Sequence, residues 1–300
     1  MTPDQLEKLI EPQLPEGPIV LTAGPLLGLG DTAIYSTLPE RFSKLGYDVY
    51  LDKDTRSSNP EIYELFWQKN PYIKGLTDKK PNAGYPRQGL FYEIANRLPG
   101  YRSIEAMERA HALPPPYGMA PKVYYEPKPF HVKLDNIILV DFSAVSSKIG
   151  QRGLAECMKM MSGKFKNPHY LQVLHQKHIV LNSPIVVGSQ HHVASIYEYL
   201  DMLASCRGWI GSEAGGQSLA SAIRGEHSVY DESINPEIVC TITPQTFNSR
   251  GYTYANVDYR VTSDTDTTRD YWSPHEIETH KYEIVCKVRL HEMEERLAAR

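Results

Sequence analysis

The stretch from Pro18 to Leu51 limits the fold more than any other part of the chain. Pro18-Ile19-Val20-Leu21-Thr22 reads as a buried strand, and Tyr47-Asp48-Val49-Tyr50-Leu51 reads as a second one. Between them lie the loop Ala23 to Asp31 and a segment, Thr32 to Leu45, with apolar residues Ile34, Leu38, Phe42 and Leu45 at helical spacing, ended by Gly46. Strand, helix and strand within about 35 residues make a βαβ unit, and its two strands pair in parallel. Asn59 to Lys69 reads as a further helix stopped by Asn70-Pro71, and Gly84 to Ala112 as mostly helical with a break at Pro99-Gly100.

The strongest shift in composition runs from Pro114-Pro115-Pro116 to Lys128-Pro129, too rich in proline for a helix and suited to a semi-rigid linker. After it the alternation of strands and helices resumes. Asn136 to Asp141 is a strand, Gly153 to Met161 a helix, Ile179-Val180-Leu181 and Ile185 to Gly188 two strands, and Ser195 to Cys206 a helix. Gly208-Trp209-Ile210-Gly211-Ser212 then leads through a glycine-rich turn into a helix that runs to Ile223. With 300 residues the chain is long enough for two such cores. The expected fold is α/β with two Rossmann-like domains, residues 1–130 and 131–265, and a terminal segment 266–300 expected to be helical, although Ile284 to Val288 also fits a strand.

Composition removes some functions. A net charge of −4 and a pI near 6.3 argue against a general nucleic-acid or membrane binder. No stretch has the roughly 20 apolar residues of a membrane span, and Met1 to Glu16, with four acids, does not read as a signal peptide. Cys157, Cys206, Cys240 and Cys286 are widely spaced with no CxxC pair, which points to thiols of a cytoplasmic protein. One local bias stands out. Residues 70–133 hold ten Lys and Arg against five acids, interleaved with tyrosines, which suits an anionic partner as well as it suits a solvated helical face.

Two loops carry the chemistry. The turn Glu213-Ala214-Gly215-Gly216-Gln217-Ser218 sits between a strand and a helix, where unpaired N–H groups and the helix dipole favour a phosphate. Ser147 and Lys148 follow the strand that ends at Asp141, where Lys148 is placed to neutralise a diphosphate. Gly188 ends a strand in the same half. In the first half, Gly28 and Gly30 line a loop in which Asp31 reads as a helix cap, as a general base, or as both, since the two roles are compatible. Gly28, Gly30 and Ala33 also fit G-x-G-x-x-A, with Asp52 ending the next strand, as in an NAD-binding oxidoreductase, although Gly24 to Leu27 intervene after the first strand. Asp52-Lys53-Asp54 fits a metal–diphosphate clamp or a solvated turn. His169, His175, His178, His191 and His192 lack helix-borne metal spacing and read as loop and surface residues, one of them suited to line a nucleotide pocket.

Taken in order, these segments resemble a known family. Gly30-Asp31, Ile34, Thr37-Leu38-Pro39 and Asn70-Pro71-Tyr72-Ile73, followed by Ser195 to Leu200 and Cys206 to Ala220, resemble the heptosyltransferase-type enzymes, glycosyltransferase family 9. The chain departs from that pattern at Glu213 (Asp in the family), Ala214 (Ser or Thr) and Ser218 (His). The resemblance implies a GT-B fold with two parallel sheets facing a central cleft and the nucleotide sugar in the C-terminal domain. It implies an inverting transfer with Asp31 as base, and no obligatory metal or other cofactor. The expected acceptor is a surface glycan or lipopolysaccharide-type glycolipid, with a hydroxymethylated DNA base as an alternative. The altered donor loop also leaves room for a binding protein without catalysis.

Overall fold

The computed structural model describes residues 14–24, 28–57, 59–97, 102–142, 151–175, 188–226, 237–242, 253–261 and 288–289. The chain divides into two compact units, Met1–Glu126 with Gln245–Asn256, and Pro127–Pro244 with Val257–Arg300. Residues 253–256 therefore belong with the first unit, and the amide and hydroxyl of Ser103 both donate to the Thr253 carbonyl (2.9 and 2.7 Å).

The first unit is built on a four-stranded parallel sheet of β1 (Ile19–Thr22), β2 (Val49–Asp52), β3 (Leu76–Thr77) and β4 (Ala83–Gly84), in the order β3-β2-β1-β4. The helix read as continuous from Thr32 to Leu45 is two pieces, α1 (Leu29–Ala33) and α2 (Leu38–Lys44). Pro39 explains the break. It has no N–H to donate and its ring crowds the preceding turn, so it fits only the first turn of a fresh helix. Ile34, Leu38 and Phe42 are fully buried as their spacing predicts, whereas Leu45 lies past the end of α2 and is exposed. α3 (Pro60–Tyr63) is capped by Asn59, whose side chain accepts the Glu61 amide (3.0 Å), and widens into a π turn over Glu64–Gln68. α4 (Gln88–Arg97) and α5 (Ser103–Ala110) stand on either side of the expected break at 99–100.

The second unit holds a seven-stranded parallel sheet. Its strands are β5 (Ile137–Asp141), β6 (His169–His175), β7 (Ser189–Val193), β8 (Gly208–Ser212), β9 (Glu237–Ile242), β10 (Asp258–Val261) and β11 (Val288–Arg289), in the order β10-β9-β8-β5-β6-β7-β11. The helices are α6 (Gln151–Lys164), α7 (Ile196–Ser205) and α8 (Gly215–Glu226). Ser195 caps α7 by accepting the Glu198 amide, and the apolar positions Tyr199, Leu200 and Leu203 are buried. β5 and β8 are buried at every position, as expected for central strands of a covered parallel sheet.

Two expectations are decided here and one is not. His169 and His175 lie on β6, and His191 and His192 lie on β7, so these four are strand residues; His178 lies outside the described residues. The proposed strands at 179–181 and 185–187 also lie outside them. In the terminal segment 266–300, read as helical with a strand over Ile284 to Val288 as the alternative, the described pair Val288–Arg289 is a strand parallel to β7, in line with that alternative. Cys157, Cys206 and Cys240 are buried thiols.

Candidate functional site

In an open parallel sheet, a crevice forms beyond the carboxyl ends of two neighbouring strands whose connections leave in opposite directions. In the first sheet this point lies between β1 and β4. The chain leaving β1 reaches Gly28, which caps α1; its carbonyl accepts both the amide and the hydroxyl of Thr32 (3.0 and 2.8 Å). Gly30 lies within α1. Asp31 is half-buried in its first turn, so the cap is Gly28 and not Asp31. Burial first, then the charges of Tyr92, Asp31 and Tyr85, hold the Tyr35 hydroxyl proton far more tightly than usual. That hydroxyl is buried and has no hydrogen-bond partner among the described residues. The structure thus gathers Asp31, Tyr35, Tyr85 and Tyr92 at one end of the sheet. Asp52, from the dinucleotide reading, ends β2 and accepts the Asp54 amide (3.2 Å) in an exposed turn.

In the second sheet the strand order turns between β5 and β8. β5 ends at Asp141, after which Ser147 and Lys148 fall outside the described residues. β8 ends at Ser212, and Glu213-Ala214 then lead into Gly215 and Gly216, the first turn of α8. The amides of such a turn have no partner within their own helix. Glu213, Gln217 and Ser218 are buried, while Ala214, Gly215 and Gly216 are half-buried. Gln217 is tied into the sheet: its amide donates to the Tyr259 hydroxyl, and its carbonyl accepts from Cys240 Sγ (3.3 Å). The Cys240 thiol is pushed up by burial and then by the charge of Glu213. The Ser212 hydroxyl is fully buried with no hydrogen-bond partner among the described residues, a candidate for a bound ligand that sequence reading missed.

Gly188 does not join this group. It precedes β7 at the amino-terminal edge of the sheet, beside the start of β6 and away from the carboxyl ends. Its φ is +67°, and a Cβ there would lie 2.2 Å from the Tyr170 carbonyl, so backbone packing accounts for the glycine.

A polar network lies under the start of α8. The indole N–H of Trp209 donates to the Tyr199 hydroxyl (2.8 Å), and that hydroxyl donates to Asp141 Oδ2 (2.6 Å). His175 Nε2 reaches the same oxygen at 3.2 Å. A Cβ on Gly216 would stand 2.4 Å from it, so only glycine lets the helix start this close. Burial acts to lower the His175 pKa, but the charge and hydrogen bond of Asp141 outweigh it and the net shift is upward. Asp141 was visible in the sequence only as the end of a strand. His175 of β6 and Tyr199 of α7 meet it directly and Trp209 of β8 meets it through Tyr199, brought together by strand order.

No protein-family model matches the sequence, and no curated protein matches it. Solved structures do match. TibC, a bacterial iron-containing dodecameric glycosyltransferase from enterotoxigenic E. coli, is 17% identical, with 90% of this chain and 74% of that chain covered and a TM-score of 0.53. A family 9 glycosyl transferase from Veillonella parvula is 10% identical, with 92% of each chain covered and a TM-score of 0.51. TibC in complex with ADP-D-beta-D-heptose, there described as an iron-containing heptosyltransferase, is 14% identical with a TM-score of 0.51. What these matches share with the chain is the fold. It is α/β with two parallel-sheet, Rossmann-like domains, as in GT-B enzymes.

The expectation of no cofactor is corrected by the same comparison, because TibC contains iron and the fold does not carry that expectation. Among the described residues, no group of three or more His, Cys, Asp or Glu side chains fits a metal ion, and no step below is routed through one. No helix of the described residues is long and apolar enough to cross a membrane.

Proposed function

We propose that this chain is a glycosyltransferase that moves a sugar from a nucleoside-diphosphate donor to an acceptor hydroxyl with inversion. The observation that carries the reading is the glycine turn Glu213–Gly216, which opens α8 at the point where the seven-stranded sheet reverses its order. Amides there suit a diphosphate, and the topology rule for open sheets selects the same place. The fold shared with TibC, solved with ADP-D-beta-D-heptose, supports a nucleotide sugar over other diphosphates.

In this reading the second unit holds the donor through Glu213, Ala214, Gly215, Gly216, Gln217 and Ser218, with Ser147 and Lys148, which follow β5 in the sequence. Charge that builds on the departing diphosphate is stabilised by the amides of Gly215 and Gly216 and by Lys148. One such donor contributes about 3 kcal/mol to the transition state. The first unit binds the acceptor, and Asp31 takes its proton as the hydroxyl oxygen attacks the anomeric carbon. The acceptor is anionic, in keeping with the basic segment 70–133, and a surface glycan or glycolipid fits better than DNA.

Release of free nucleoside diphosphate from ADP-, UDP-, GDP- and CMP-linked sugars tests the reading, with CMP read as the monophosphate. One diphosphate donor is expected to be turned over, slowly by water and faster with a glycan acceptor. Turnover of none, together with binding of NAD, would replace it with the dinucleotide reading of Gly28, Gly30, Ala33 and Asp52.

A further inference from the structure

We infer that Asp141 and His175 form a charge-compensating pair beneath the donor diphosphate, with His175 acting through Asp141 to make the crevice hospitable to anions. This rests on the reading that the diphosphate binds at the start of α8.

The geometry sets a problem that the pair solves. A helix start attracts a diphosphate because its end of the dipole is positive and its first amides have no partner within the helix. Here a buried carboxylate already lies against that start, since the position of a Gly216 Cβ would be 2.4 Å from Asp141 Oδ2. An uncompensated Asp141 would cancel the dipole and repel the incoming anion. The side chain of Asp141 is only 3% exposed, so water does little to screen it. His175, protonated, supplies the missing charge 3.2 Å away.

The other groups in contact leave His175 as the one whose proton is free to vary. An indole N–H only donates, so the Tyr199 oxygen accepts from Trp209 and its own proton goes to Asp141. Burial above all, and then Asp141, keep Tyr199 neutral well beyond the usual tyrosine range. From β5 His175 meets Asp141, and from α7 it meets the edge of the Tyr199 ring (4.9 Å between centroids). Neighbouring β7 carries His191, which is paired with Glu198 of α7 (3.0 Å), and the loop after β8 carries Glu213, whose charge falls on Cys240. The His175 side chain is 27% exposed, enough to exchange its proton with solvent. Losing that proton unmasks Asp141, so donor affinity falls as pH rises.

Titration calorimetry with ADP-glucose, UDP-glucose, GDP-mannose and UDP-N-acetylglucosamine tests this, because their phosphate diesters keep one charge state across the range. The wild type is expected to bind one of them about tenfold more weakly at pH 9 than at pH 6, equivalent to about one pKa unit of coupling. His175→Gln is expected to bind weakly at both pH values, and Asp141→Asn tightly at both. By reciprocity, the imidazole C2-proton titration of His175 in the wild type moves up by about one unit when that nucleotide is bound. This measurement needs no variant. Donor binding with a flat pH profile, an unmoved His175 titration, or a wild-type profile in His175→Gln overturns the pair while leaving the donor site standing. No binding of any of the four by the wild type overturns the donor site and the pair together.

Discussion

Asp31→Asn is expected to lower sugar transfer by about 10²–10⁴-fold and to leave donor affinity unchanged. An alcohol holds its proton far above neutral pH, so a base must take it as the oxygen attacks. The amide of asparagine has the shape of the carboxylate but cannot accept that proton. The change is structurally mild. Asp31 is not the cap of α1, because Gly28 is, so the substitution removes no capping bond. The Tyr35 ring beneath it is fully buried and stays in place through packing. Initial rates of diphosphate release with donor and acceptor together, beside a binding isotherm for the donor alone, separate chemistry from affinity. A turnover close to that of the wild type would remove Asp31 from the mechanism.

Acid is expected to destabilise the first unit through His111 by about 3 kcal/mol between pH 7 and pH 4. His111 is fully buried. Its Nε2 accepts the Gly84 amide (2.8 Å) and its Nδ1 donates to the Met107 carbonyl (2.8 Å), an arrangement only the neutral ring can make. Burial first, with a smaller push from the Arg87 charge, lowers its pKa from 6.5 to about 4. The folded value is below the unfolded one, so the unfolded chain takes up the proton first. Stability is therefore lost as pH falls from 6.5 toward 4. Glu108 works in the opposite sense, because burial raises its carboxyl, so the raw acid curve mixes the two. The difference between wild type and His111→Gln isolates the histidine, read from urea midpoints at several pH values. Parallel curves for the two proteins would contradict the assignment.

The central strands were legible because their sequences leave little choice. β1, β5 and β8 are short apolar runs followed by glycine-rich or polar turns, and burial of such runs requires a covered parallel sheet. β6 and β7 were not, because Gln172 and His175 on one and Ser189 to His192 on the other break the apolar pattern. They are strands because their neighbours supply the packing and the ladder. The glycine turn at Gly215–Gly216 could be located from local chemistry alone. What lies beneath it could not. Asp141, His175, Tyr199 and Trp209 come from four elements, and the strand order β8-β5-β6 is what makes them neighbours. Gly188 lies apart from that turn, and its sequence could not show this for a related reason: a glycine beside a strand is required as often for backbone packing as for a ligand.

The proposed chemistry depends above all on a nucleoside-diphosphate sugar binding to the second unit at the start of α8. Thermal unfolding of the wild type and of Gly216→Val against ADP-, UDP-, GDP- and CMP-sugars and NAD measures it most directly. A donor at about 100 times its Kd raises wild-type stability by roughly 2.7 kcal/mol, while Gly216→Val, whose side chain meets Asp141, shows no such rise. A rise with NAD alone, or an undiminished rise in Gly216→Val, would contradict it.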